Sequence, residues 1–412
     1  MATKTKEVVQ EKNWDEMDPA PNKIIDELDA EESGCDYTCS SLMPAFQEKN
    51  VAVCMVSSDE YAPFAGVLAE SIISNASAQN NYDIIILSDD MLLRNRWRIE
   101  AIAECKDNIS IRIIDISEMV SSFSFYTWAH FTSNTYYRLL TPDVFCNYKK
   151  IIYLDSDTVV NQDIAELFAT DLEGYLIAAA YDTHVVAYCS QIPPKEQREY
   201  NIKTLGLTKP EEYYQAGVSI FNVEAINKEF KPGYLIEKAS EIELRWLDQD
   251  LLNMLFKGRI KTLSNKWNVM VADVPFLIDE YYLPPILRKE YYEARRNPSI
   301  VHYVGRAIPC YTQTPDLYEY FWKYARNTVF YEILLQRMSI QAADKIVNER
   351  FESLNQYLYI REQHEKMYAH YQNSLSNKLR RRLRSVIDRL LPLGTKRRDS
   401  VRRVYYKLRG WQ

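Results

Sequence analysis

Two carboxylates, Asp155 and Asp157, follow the apolar run Ile151-Ile152-Tyr153-Leu154 with one serine between them. Acids spaced this way at the end of a buried strand can share one hard divalent cation, which then screens a diphosphate that the acids alone would repel. Taken by itself, such a pair is more often a solvated loop edge, so the surrounding pattern has to decide. His302 lies far along the chain, after Ile300-Val301 and ahead of Gly305, whose missing side chain lets backbone approach a phosphate closely. An isolated histidine of this kind is more often a satisfied core residue.

The elements that must position these groups can be read from hydrophobic patterning. Val51 to Val56 is a short apolar run, followed by Ser57-Ser58-Asp59-Glu60 and then by helical spacing over Ala65 to Ile73. Ile84 to Leu87 closes on Ser88-Asp89-Asp90, and Ile109 to Ile114 closes on Asp115, with a helical stretch from Leu92 to Cys105 between them. Repeated strand and helix units predict a parallel sheet. The strand Ile151 to Leu154 is apolar on both faces, as a central strand covered by helices must be. Its acids therefore fall at the carboxyl edge, where ligands bind in open α/β sheets. From Asp316 to about Arg384 the pattern is helical.

Six motifs in fixed order over Val51 to Pro309 resemble glycosyltransferase family 8, the retaining hexosyltransferases. They are Val56-Ser57-Ser58-Asp59-Glu60-Tyr61, Tyr136-Tyr137-Arg138-Leu139, Tyr153-Leu154-Asp155-Ser156-Asp157, Tyr214-Gln215-Ala216-Gly217-Val218, Asp248-Gln249-Asp250-Leu251-Leu252-Asn253 and His302-Tyr303-Val304-Gly305. The resemblance implies a doubly wound, mostly parallel α/β sheet of the GT-A type that binds a nucleotide sugar. It implies a metal held by Asp155, Asp157 and His302, a set whose nitrogen donor favours manganese over calcium, with magnesium as the second candidate. It also implies donor contacts from Val56, Ser58, Tyr61, Arg138, Asp155, Ser156, Gln215, Ala216, Asp248 and Gly305. Gln249 is placed beneath the anomeric carbon, and Asp182, which follows the apolar run Leu176 to Ala180, is a second acid near the sugar and acceptor. Without the resemblance, Arg138 reads equally as a surface salt bridge, and Asp248 to Asn253 as the start of an amphipathic helix with Asp248 as its N-cap.

The chain departs from the family pattern at three places. Ser58 stands where an aspartate is usual, and Gln215 where a shorter asparagine is usual. Ile308 replaces a lysine that faces the diphosphate, leaving Arg306 or Lys266 as candidate substitutes.

The chain has 412 residues and a net charge of −7. Its organisation is expected to be an acidic, unstructured leader over 1–49, a catalytic domain over 50–312, a helical annex over 313–377 and a basic amphipathic tail over 378–412. From Lys378 onward thirteen Lys and Arg oppose only Asp388 and Asp399. Leu379, Leu383, Val386, Ile387, Leu390 and Leu391 share one helical face, and Tyr405, Tyr406 and Trp411 add interfacial aromatics. Such a segment fits an anionic membrane surface, or else a solvated terminal helix. The acidic remainder and the absence of any nucleic-acid signature argue against nucleic acid as partner. Seven scattered cysteines and the lack of a signal or membrane-spanning run suggest a cytoplasmic protein, peripheral on the inner membrane face. The expected activity is transfer of glucose or galactose from a UDP-sugar to a glycan or glycolipid acceptor. The rivals are a non-catalytic nucleotide-sugar-binding protein of the same fold and, less favoured, a metal-dependent phosphohydrolase.

Overall fold

The computed structural model describes residues 42–127, 132–191, 196–272, 282–312, 316–373, 375–392 and 394–408. The acidic leader up to residue 41 and Trp411 lie outside them, as do the side chains of Tyr405 and Tyr406. The four strands expected from apolar runs are present: β1 (Asn50–Val56), β2 (Asn81–Ser88), β3 (Ile109–Asp115) and β4 (Ile151–Leu154). They pair in parallel in the order β3-β2-β1-β4. Side chains alternate along β1, so that Val51, Val53 and Met55 enter one core layer and Ala52, Cys54 and Val56 the other. This two-sided burial is why the strand reads as a continuous apolar run.

The sheet continues through β7 (Tyr214–Phe221), β6 (Ile177–Tyr181) and β8 (Ile260–Thr262). Only β7 runs against the others, pairing antiparallel with both β4 and β6. The amino end of β7 therefore meets the carboxyl ends of β4, β6 and β8 at one rim. A second sheet, in the order β5-β10-β9, is built from β5 (Thr158–Val160), β9 (Val269–Val271) and β10 (Ile300–Tyr303). Strands this short leave no periodic trace in sequence, and β4, also of four residues, is legible only because it is apolar throughout and closes on two acids.

Helix α1 (Ala62–Ser74) follows β1 and begins with proline in its first turn, where the missing N–H costs nothing. The helical reading of the C-terminal region agrees with α-helices at Tyr318–Ala325, Tyr331–Asn373 and Leu375–Leu390. The chain forms two compact units, Met1–Gln341 and Ala342–Gln412. Among the described residues, no helix is long and apolar enough to cross a membrane. Cys54, Cys105, Cys189 and Cys310 are free thiols, whereas Cys146 is disulfide-bonded, a pairing the cysteine spacing does not indicate.

One buried charge pair ties the sheet's outer strands together. Asp83 of β2 is completely buried and accepts from Arg112 Nη2 of β3 at 2.8 and 2.7 Å, from the Tyr148 hydroxyl at 2.9 Å and from Ala45 N at 3.0 Å. Removing one member of such a pair leaves the other charge inside without compensation. Asp83→Ala is expected to lower the unfolding free energy by about 3 kcal/mol, the low end of the usual range because Arg112 keeps some solvent. Urea unfolding of the variant beside the parent protein measures this.

Candidate active site

The rim where β4, β6, β7 and β8 meet collects most of the residues singled out by their motifs. Asp155 and Asp157 sit in the turn between β4 and β5, which leads directly into the small sheet. There β10 pairs antiparallel with β5, setting His302 opposite Thr158, and Tyr303 N donates to Asp157 O at 3.0 Å. This ladder carries the imidazole to the two acids. His302 Nε2 lies 3.2 Å from Asp157 Oδ1 and 3.6 Å from Asp155 Oδ2, and one ligand atom from each residue fits within 4.8 Å of the others.

Three observations bear on whether these residues suit a divalent ion. Two oxygen donors and one imidazole nitrogen form a donor set typical of first-row divalent metals. Asp157 Oδ1 is buried without a hydrogen-bond partner, with His302 Nε2 3.2 Å away. Gly217, within β7, lies so close that an added Cβ would fall 2.3 Å from Asp155 Oδ2 and 2.4 Å from His302 Cε1. The residues present fit an ion, with glycine leaving the room. Burial opposes charge on His302, but Asp157 and then Asp155 outweigh it and hold the imidazole pKa above its ordinary value.

Arg138 is the fixed positive charge of the site. It projects from the short helix Ser133–Leu140, places Nη2 3.0 Å from Asp155 Oδ1 and Nε 2.6 Å from Asp248 Oδ2, and stacks over the Tyr153 ring at 4.8 Å. Only 6% exposed, it is no surface salt bridge. Burial works against its charge, yet Asp155 and Asp248 more than restore it, so the guanidinium stays ionised. Tyr153 adds a hydroxyl bond to Asp155 Oδ1 at 3.0 Å. Burial pushes the Asp248 carboxyl up to about 7 against the pull of Arg138. Asp248 is not the N-cap of helix α2 (Leu247–Leu255); Trp246 holds that position, and Leu247 turns the chain through a left-handed φ of 51°. That turn delivers Asp248 to Arg138 and keeps Gln249 at the rim.

Gln249 is held at both ends. Its Oε1 accepts from Ala216 N at 3.0 Å, while Nε2 donates to Asp182 Oδ2 at 3.0 Å and to the Tyr213 hydroxyl at 3.2 Å. A backbone N–H can only donate and a carboxylate can only accept, so the amide orientation is unambiguous. Asp182 in turn caps the helix Thr183–Cys189, its Oδ1 accepting from His184 N and Val185 N at 3.0 Å each.

The remaining predicted contacts fall into smaller groups. Ser156 ties the acid turn to β1, its hydroxyl donating to Val56 O at 2.6 Å. Ser58 closes the loop ahead of α1 by accepting from Tyr61 N at 3.3 Å. Burial and the charge of Asp157 raise the Tyr61 phenol pKa. Gly305 has φ +65°, a conformation that favours glycine. Ile308 is buried in the core, so no cation projects from that position; the Arg306 side chain lies outside the described residues, and Lys266 lies over the Trp267 ring. Gln215 Oε1 accepts from Gly217 N at 2.7 Å and from Asn268 Nδ2 at 2.6 Å, and Asn268 Oδ1 meets His302 Nδ1 at 3.1 Å. Asn268 and Tyr213 were invisible as site residues in sequence, since neither stands in a spacing that carries chemistry. Asp250, inside a quoted motif, is a support: it accepts from Tyr213, Tyr200 and Trp246 N.

A mostly parallel sheet with flanking helices and this acid-rich carboxyl rim is the fold of GT-A glycosyltransferases, and solved structures agree. The apo form of the bifunctional glycosyltransferase WbbM matches with a TM-score of 0.65 at 31% identity, over 72% of this chain and 53% of that one. The galactosyltransferase LgtC, solved in complex with donor and acceptor sugar analogues, shares the fold with a TM-score of 0.55 at 23% identity, over 68% of this chain and 96% of that one. General stress protein A of Bacillus subtilis is 26% identical over 273 residues, 64% of this chain and 89% of its own length. A putative glycosyltransferase of Haemophilus influenzae is 28% identical over 222 residues, 53% of this chain and 63% of its own. The chain thus spans about half of WbbM and under two thirds of the Haemophilus relative. The model of glycosyl transferase family 8 matches residues 52–309, and the chain belongs to that family.

The cradle at Gly217 generates a direct test. Its backbone angles suit any residue, so Gly217→Ala acts through space alone, pushing a methyl group against Asp155 and His302. The variant is expected to keep its far-ultraviolet circular dichroism while its Mn2+ affinity, read by calorimetry, falls at least ~10-fold.

Proposed function

We propose that the protein is a retaining hexosyltransferase that moves glucose or galactose from a UDP-sugar to a glycan or glycolipid acceptor, with Mn2+ (or Mg2+) as its metal. The observation that carries this reading is the convergence of Asp155, Asp157 and His302 around the space left by Gly217. A divalent ion bound there supplies positive charge to the diphosphate leaving group. Arg138, kept ionised between Asp155 and Asp248, holds Asp155 in place and orients Asp248 toward a sugar hydroxyl. Val56, Ser58, Tyr61 and Ser156 line the nucleotide side, with Ala216, Gly305 and Arg306 as further donor contacts.

In the transfer the bond from the anomeric carbon to phosphate oxygen breaks while the acceptor hydroxyl attacks from the same face. The hydroxyl proton passes to the leaving phosphate oxygen. Gln249 cannot serve as a strong nucleophile, since an amide oxygen is feeble and Oε1 already accepts from Ala216 N. Its remaining lone pair suits stabilisation of the positive charge that grows on the sugar ring. Asp182, in contact with Gln249 Nε2, lies on the acceptor side.

A second reading, a nucleotide-sugar-binding protein without turnover, is favoured by one observation: Ile308 is buried where a cation would meet the diphosphate. A screen of nucleotide sugars with Mn2+ separates the two. UDP release and a product of retained anomeric configuration are expected, with Asp157→Ala lowering kcat/KM at least ~100-fold. Tight UDP binding with no donor cleaved and no product would leave the binding protein.

The C-terminal unit supports a membrane-associated acceptor. In the helix Leu375–Leu390, Leu379, Leu383, Val386, Ile387 and Leu390 are exposed together, with Arg381, Arg382, Arg384 and Arg389 also at the surface. An apolar stripe flanked by arginine suits the headgroup region of an anionic bilayer at the inner face of a cell membrane. Full-length protein is expected to sediment with phosphatidylglycerol vesicles and not with phosphatidylcholine ones. Changing Arg381, Arg382 and Arg384 to Glu should abolish that binding, at roughly 1 kcal/mol per basic residue near the surface.

A further inference from the structure

Gln215 stands where the family resemblance expects a shorter amide that reads the sugar, yet its oxygen is committed elsewhere. The N–H of Gly217 can only donate, so the end of Gln215 that meets it at 2.7 Å is Oε1. The same oxygen faces Asn268 at 2.6 Å, and two amide oxygens would repel, so that end of Asn268 is Nδ2. The other end, Oδ1, then faces His302 Nδ1 at 3.1 Å and can only accept, which puts the proton on Nδ1. In the neutral ring Nε2 then carries the lone pair, directed at Asp157 and Asp155. The two amide orientations follow from one backbone N–H, and the ring places Nδ1 at Asn268 Oδ1 and Nε2 at the two acids.

We propose that Gln215 and Asn268 are positioning residues that hold neutral His302 as its Nδ1–H tautomer and so aim the Nε2 lone pair at the metal site. The proposal rests on the reading of Asp155, Asp157 and His302 as that site, and deepens it. The relay has work to do because the other tautomer is locally attractive. An Nε2–H could donate to Asp157, which would remove the lone pair a metal needs. Gln215, Asn268 and His302 are all buried, so water does not compete for the two links. With Oε1 committed, Gln215 can offer a sugar hydroxyl only its Nε2–H donors, whatever the donor sugar is.

Nitrogen-15 NMR of histidine-labelled, metal-free, full-length protein reads the tautomer directly, with the pH raised until the His302 nitrogen shifts are those of a neutral ring. The His302 signal is assigned by its loss in His302→Gln. The parent protein is expected to show the Nδ1–H form. Gln215→Leu should give a mixture of tautomers and weaken Mn2+ binding, measured by calorimetry, at least ~10-fold. Gln215→Glu keeps an acceptor oxygen for Gly217 and Asn268 and should retain the parent tautomer. An Nε2–H parent ring with intact Mn2+ binding overturns the relay alone. So does Gln215→Leu with tautomer and affinity unchanged. An Nδ1–H ring in a parent protein that binds no Mn2+ overturns the metal reading instead, and with it the purpose assigned to the relay.

Discussion

Carboxylates crowded at a largely buried rim repel one another, and the structure around this site is organised by how each is compensated. Asp155 has Arg138 and the Tyr153 hydroxyl. Asp248 shares the same guanidinium, and its raised pKa, reaching about 7, registers how little solvent helps it. Asp182 lies against the first backbone N–H groups of a helix, where anions are favoured. Asp250 is met by two tyrosine hydroxyls and a backbone N–H. Asp157 Oδ1 and Asp248 Oδ2 are both buried without a hydrogen bond, but Asp248 Oδ2 lies 2.6 Å from the Arg138 guanidinium, whereas Asp157 Oδ1 faces the imidazole. That incompletely compensated charge lies beside an imidazole and a glycine, and the proposed metal role rests on this grouping.

The same economy of partners explains why the supporting residues cluster on β7 and α2. The reversed strand β7 brings Gln215, Ala216 and Gly217 to the rim by their backbone as much as by their side chains. Ala216 N orients Gln249, Gly217 N orients Gln215, and Gly217 O receives Asp155 N at 2.7 Å. Asn253 of α2 exchanges two hydrogen bonds with Tyr214, locking helix to strand. The strained turn at Leu247 is held in place by this double attachment. Two departures from the family pattern thus have different structural meanings. Gln215 has gained partners within the protein, whereas Ile308 has joined the core, so that no cation projects from that position.

Much of this protein could be read in its residues. Strands β1 to β4, the carboxyl-edge position of Asp155 and Asp157, and the helical C-terminal region all follow from local patterning, because two-sided burial forces continuous apolar runs and helices force a 3.6-residue period. The grouping of Asp155, Asp157 and His302 was legible only through motif order, since no local rule links positions so far apart. Other features left no trace. Strands β5, β9 and β10 are too short for periodicity, the reversal of β7 depends on what it packs between, and Asp248 looks like a helix cap until Leu247 turns the chain.

Sequence by itself therefore determined which groups are available: the acids, the histidine, the glycine and the strand that ends in them. Tertiary structure decided which of those groups meet and in what state. It chose Arg138 as the partner of two acids, Asn268 as the neighbour of His302, and the direction in which each amide points. The physical reason is that burial, electrostatic pairing and hydrogen-bond polarity are properties of atoms in space, and a chain acquires them only when remote segments close on one another.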